Sequence, residues 1–316
     1  MKAFKNTIQA AFLLAITLLS TVSLAQQQGM FTQYMFNGLA INPAYAGSHE
    51  TLSLTALTRY QWVGIDGAPN TQSFSAHAPI KKEQIALGLQ LFNDDIGVSK
   101  TFNMFAAAAY RINFDKTTLS LGLQLGFSSY KSNVSTLNPI WDNNDIALSE
   151  DVREPFKPNM GTGAYYYGDR FYLGLSLPTL FNATINSFEI EDTGLTYESG
   201  TSRRHVFLTG GYVFDLGHHF KLKPSGLIKY VAGAPIQMDI NLNLLIDEVI
   251  WVGTSYRSGE SLDFLLELQL TSSLRFGYAY DYILNDINMI SSGSHELMLN
   301  YRIEFKKDRV TSPRYF

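Results

Sequence analysis

Leu119, Leu121, Leu123, Leu125 and Phe127 alternate without interruption with Ser120, Gly122, Gln124, Gly126 and Ser128, and the same two-residue beat recurs along most of the chain. A period of two places alternate side chains on opposite faces of an extended strand, so each ribbon has an oily face and a polar one. Alternation and turn residues together predict strands at 51–62, 71–80, 83–92, 100–113, 117–131, 159–167, 170–178, 201–215, 219–231, 235–246, 248–257, 261–271, 273–283 and 295–305, about fourteen in all.

A water-soluble sandwich would show the same alternation with its oily face turned inward. Loop length decides between the two. Tight connections at Lys81-Lys82-Glu83, Phe114-Asp115-Lys116, Gly168-Asp169 and Asp247-Glu248 contrast with long ones from Ser132 to Pro158, Phe181 to Gly200 and Leu284 to Ser294. Short connections near Gly233 and Ser258 depart from this rhythm. Short turns on one rim, long loops on the other and an even strand number predict an all-β transmembrane antiparallel barrel, with periplasmic turns and longer extracellular loops.

The late strands separate their faces best. Ile236, Met238, Ile240, Leu242, Leu244 and Ile246 are expected to face lipid, with Gln237, Asp239, Asn241 and Asn243 inside. A charge in the hydrocarbon layer is costly, so Asp239, Glu267, Arg275, Asp281, Arg302 and Glu304 are expected to face the lumen and to pair there across neighbouring strands. A filled interior held by ion pairs is favoured over a selective conduction path.

Composition sharpens the placement. Lys2, Lys5, the apolar run Ile8 to Leu19 and the small-x-small site Ser23-Leu24-Ala25 read as a cleaved signal peptide over residues 1–25. Without Lys2 and Lys5 the chain carries 22 basic against 28 acidic side chains, a net charge of −6, which disfavours nucleic acid as a partner. The absence of cysteine excludes a lipoprotein, disulfides and thiolate zinc sites. The 18 Tyr and 21 Phe suit an aromatic girdle at the membrane interfaces.

Candidate chemistry is sparse. His218-His219 falls in a tight turn without a third ligand at fixed spacing. His77 faces the lumen beside Ser and Thr residues, a pairing that a barrel this rich in hydroxyls produces by chance. Asp142, Asp145, Glu150, Asp151 and Glu154 in one loop, and Glu189, Glu191, Asp192 and Glu198 in another, lack the spacing of a calcium loop. No enzyme activity, cofactor or metal is expected.

Residues 26–50 lack strand periodicity and are rich in aromatics and turn formers, as in a plug or a docking segment at the periplasmic mouth. The barrel is expected over 51–306 and a tail over 307–316, with both termini in the periplasm. Gln33-Tyr34-Met35-Phe36-Asn37 and Ile41-Asn42-Pro43-Ala44-Tyr45-Ala46-Gly47 resemble the opening of the PorP/SprF family, outer-membrane proteins linked to type IX secretion in Bacteroidota. Arg59-Tyr60-Gln61-Trp62-Val63-Gly64 with Gly67-Ala68-Pro69-Asn70-Thr71-Gln72 resembles the family's first hairpin, Asn93-Asp94-Asp95-Ile96-Gly97 its next loop, and Ser312-Pro313-Arg314-Tyr315-Phe316 its tail.

That resemblance implies a role in secretion or gliding, with the periplasmic ring and motor components and a secreted adhesin bearing a type B carboxy-terminal signal domain as partners. Tyr34, Asn37, Asn42 and Tyr45 are the expected contacts on the inner side, and Trp141 on the outer side because exposed Trp anchors interfaces. The rival reading is a passive uptake channel for hydrophobic or small solutes. An outer-membrane lipase using His77 is a third.

Overall fold

The computed structural model describes residues 30–80, 84–136, 151–190 and 195–304, with the strands of 183–190 and 195–202 described by their backbone alone. In chain order the strands are β1 (Leu52–Tyr60), β2 (Asn70–Pro79), β3 (Ile85–Ile96), β4 (Ser99–Asn113), β5 (Thr117–Ser132), β6 (Val152–Gly168), β7 (Phe171–Leu177), β8 (Ala183–Ile190), β9 (Leu195–Ser202), β10 (His205–Tyr212), β11 (Phe214–Asp215), β12 (Phe220–Val231), β13 (Gln237–Ile246), β14 (Ile250–Arg257), β15 (Ser261–Gln269), β16 (Leu274–Ile283) and β17 (Ser294–Ile303). Each barrel strand is antiparallel to its neighbours, β1 pairs with β17, and β10 pairs with both β7 and β12, which closes the sheet on itself.

β11 continues β10 past Val213, so the closed barrel has fourteen staves, and β8 with β9 forms a separate hairpin. The fourteen staves correspond to the fourteen expected segments. The hairpin fills the expected long loop from Phe181 to Gly200 and takes the first two residues of the segment expected at 201–215, so that β10 starts at His205. β6 begins seven residues earlier than its expected start at 159 because Val152, Arg153 and Glu154 pair with β5 beyond a register shift at Ser128/Tyr130. A bulge of this kind lets a strand run on past the rim with altered twist.

The turns sort by rim. β2–β3, β4–β5, β6–β7, β11–β12, β13–β14 and β15–β16 turn tightly at one end, where β17 also stops. Asp247 and Glu248 both take positive φ (49° and 57°), the pair of left-handed residues that a two-residue hairpin turn needs. The longer connections lie at the other end. Short connections interrupt that rim near Gly233, between β12 and β13, and at Ser258, between β14 and β15, and so does a tight turn after β3: Asn93 to Ile96 are strand rather than loop, and β3 passes into β4 through Gly97 at φ 56°. Thr71 bonds Asp94 and Lys100 pairs with Asp95 there, so local polar contacts carry the strand to its end.

The oily faces point outward. Leu121, Leu123 and Leu125 are 48%, 65% and 61% exposed, whereas Ser120 and Gln124 between them are almost wholly buried. The same division holds for Met238, Ile240 and Leu242 against Asp239, Asn241 and Asn243. This inversion, leucine outside and carboxylate inside, is what a hydrocarbon surround selects.

Candidate functional site

Nearly every residue from Phe31 to His49 is buried, and the segment lies inside the barrel as three 3-10 turns, Tyr34–Phe36, Gly38–Ala40 and Pro43–Tyr45. Short turns suit its sequence. Pro43 takes the first helical position, and the Asn42 side chain caps that turn by accepting from the Ala44 amide at 2.9 Å.

Two hydrophobic clusters seat the plug. Phe31, Tyr34, Met35, Phe36 and Ile41 pack on Leu57, Phe207, Leu227, Leu245, Trp251, Leu265 and Met298. Leu39, Ala44, Tyr45 and Ala46 pack on Ala86, Ala107, Ala109, Tyr165, Tyr167 and Tyr172. The wall is hollowed to receive it: a Cβ on Gly122 would strike Pro43 and Ala44, one on Gly163 the Asn42 side chain, and one on Gly277 the Gln33 side chain.

Polar fastenings run the length of the segment. Nearest the long-loop rim, Glu296 accepts from the backbone amides of Thr32 and Gln33, both at 2.8 Å, and the Thr32 hydroxyl donates to Asp281. Arg59 bridges Asp281 at 2.7 Å and Glu296 at 3.0 Å, all three being buried. In the middle, Asn241 donates to the Tyr34 hydroxyl at 2.6 Å, Ser75 to Asn37 Oδ1 at 2.7 Å, Ser176 to the Ile41 carbonyl at 2.6 Å, and Asn42 to the Ala164 carbonyl at 3.0 Å. Lys223 sits among the rings of Phe36, Trp251 and Tyr172, with Nζ 5.0 Å from the Phe36 centroid. Towards the short-turn rim the Gly47 amide donates to His77 Nδ1, Arg111 donates to the Gly47 carbonyl, and Tyr45, His49 and Arg302 meet within hydrogen-bond distance.

The expected lumen charges form several groups. Asp281 joins Arg59 and Glu296, Asp239 joins Arg257 at 3.3 Å, Glu267 pairs with Arg275 at 2.8 Å, and Arg302 contacts Asn300 and His49. Asp281 and Asp239 lie in the long-loop half and the other three in the short-turn half, with the plug between them. Glu304 is exposed beyond the end of β17 and lies outside these groups. Arg59, Lys223, Arg257, Asp263 and Glu296 are buried lumen charges that the sequence reading did not single out.

Tyr34, Asn37, Asn42 and Tyr45 are 2–4% exposed and face the barrel wall, so in this state none of them is presented to a partner. The chain path explains it. The described residues start at Met30 in a cavity on the long-loop side and descend to Glu50 beside Arg111 at the short-turn rim. The start of the plug and the end of β17 therefore lie towards opposite rims. His219 contacts Asp247 at an exposed turn. Asp151 accepts hydrogen bonds from the Ser135 hydroxyl and backbone amide, which hold its carboxyl below the usual carboxylate range. Trp141, Asp142, Asp145, Glu150, Glu191, Asp192, the signal-peptide residues and the tail lie outside the described residues.

A family model described as type IX secretion system membrane protein PorP/SprF matches residues 23–301. Among solved structures, the CymD monoaromatic hydrocarbon channel is similar at 12% identity over 90% of this chain and 96% of its own, with a TM-score of 0.53. The toluene transporter TbuX of Ralstonia pickettii is similar at 11% identity over 85% of this chain and 93% of its own, with a TM-score of 0.50. At such identities the likeness is one of fold, that of an outer-membrane barrel. No curated protein matches the chain significantly.

Proposed function

The chain belongs to the PorP/SprF family of type IX secretion system membrane proteins, and on that premise we propose that it is a non-enzymatic outer-membrane foothold for exported adhesins bearing type B carboxy-terminal signal domains. The long-loop rim faces outward and meets the exported protein. The short-turn rim faces the periplasm and meets the ring and motor components of the machinery.

Beside the family, one observation supports this reading: the lumen is occupied by the chain's own segment, seated on tailored glycines and held by buried ion pairs from several strands, a plug that an uptake channel would have to displace. With the lumen filled in this state, the two rims are the surfaces left for partners. The test is cross-linking and pull-down from native membranes, joined to deletion of the gene. Co-purification of periplasmic secretion components, with loss of one adhesin from the surface on deletion, is the expected result. Undiminished surface adhesin together with a large steady conductance in planar bilayers would replace this reading with the passive channel.

A further inference from the structure

Above the plug, on the long-loop side, a cavity of about 410 Å³ remains between the segment and one side of the barrel. Its floor is Met30, Phe31, Ala40 and Ile41, and its wall comes from β3, β4, β5 and β6, closed by Pro178, Thr179 and His205. The size falls within the range of small-ligand pockets. It is one-sided, because the wall from β12 to β17 is taken up by the plug and the ion pairs described above.

Five aromatic rings line it: Phe31 and Phe92, edge to face with centroids 5.7 Å apart, Phe105, Tyr130 and the His205 imidazole. Among them lies Gln90, which is nine-tenths buried, lines the cavity and makes no hydrogen bond among the described residues. Its carboxamide opens onto the cavity, so one donor group and one acceptor stand there for an occupant to take. Asp94, in the same wall, spends one carboxylate oxygen on the Thr71 hydroxyl at 2.6 Å.

The group that best complements a carboxamide is another amide, which offers an acceptor and a donor together. A neighbouring carboxamide of the same cavity already pairs with an amide: Gln124 donates to the Pro178 carbonyl at 2.8 Å.

We propose that this outer cavity is a binding site for an aromatic group carrying an amide, with the ring seated among Phe31, Phe92 and Phe105 and the amide paired to Gln90. The amide comes either from a free arylalkyl amide or from an aromatic residue of a peptide. This site does not depend on the secretion role, and either stands without the other.

The test uses the full-length barrel in detergent and ligand-observed NMR with four probes. These are N-acetyl-phenylalanine-N-methylamide, phenylacetamide, the tripeptide Gly-Phe-Gly capped at both ends, and ethylbenzene, which has a ring and no amide. The three amides are expected to bind, and Gln90→Leu to weaken each of them at least fivefold while leaving ethylbenzene unchanged. Tighter binding of the capped tripeptide than of phenylacetamide assigns the peptide source, and the reverse order the free amide. Thr101→Trp, which fills the cavity without touching Gln90, is expected to abolish all binding. Heat-modifiability on gels and proteolysis report folding of both variants. Absence of binding by every amide at millimolar concentration would overturn the site, as would amide binding equal in wild type and in folded Gln90→Leu.

Discussion

Arg59 decides how the plug is held, because one guanidinium bridges Asp281 and Glu296 while those two carboxylates grip Thr32 and Gln33. Removing one partner from a buried ion pair leaves uncompensated charge, at a cost of about 3–5 kcal/mol. Arg59→Met is therefore expected to lower the urea midpoint of refolding in micelles, and Arg59→Met combined with Asp281→Asn and Glu296→Gln to recover part of the loss. On the outer face, Leu123→Arg places a cation on one of the most exposed apolar side chains of β5. About 2–4 kcal/mol at the bilayer midplane is expected, read as reduced folding into vesicles. The outward leucines were legible from alternation alone, and so was the inward direction of Asp239, Glu267 and Asp281. Arg275 as the partner of Glu267 lay within the expected set, but Arg59 and Arg257 did not, since pairing depends on strand register and on which charges the plug separates.

At the scale of the element, the strands were legible because each presents one continuous oily face, whereas the 30–50 segment gave only a composition. Its place inside the barrel nevertheless left a trace in other elements. Leu57, Leu227, Leu245, Trp251, Leu265 and Met298 sit on the polar side of their strands, breaking the alternation where the plug's aromatic cluster lands. Gly122, Gly163 and Gly277 mark the places where the segment comes closest. Gly122→Val or Gly163→Val is expected to push the segment off the wall while the strands still close. Single-channel recordings should then show long openings that wild type lacks, with unchanged heat-modifiability of the band. The β8–β9 hairpin was not legible because the sequence over 183–190 and 195–202 shows no sustained apolar–polar alternation.

For the whole molecule, the chain path fixes a polarity: the plug begins near the long-loop rim and β17 ends at the other. The sequence reading placed both ends on one side, as follows when a segment is taken to cap the mouth from which the first strand starts. With no native cysteine, Met30→Cys is expected to react with a membrane-impermeant maleimide on intact cells, while Asp115→Cys in a short turn reacts only after the outer membrane is opened. Labelling of Asp115→Cys on intact cells, with Met30→Cys protected, would reverse the assigned direction.

A ring that sealed first would have to draw a bulky stretch containing Phe31, Tyr34, Phe36 and Tyr45 through its bore from one mouth to the other. Zipping the first stave against the last around a stretch already in place avoids that passage. Arg59 lies on β1, Asp281 on β16 and Glu296 on β17, so the clasp on Thr32 straddles the very seam that must shut. An empty cylinder would close with Asp281 and Glu296 short of the three donors that Thr32 and Gln33 supply, whereas the filled one has them in place at the seam.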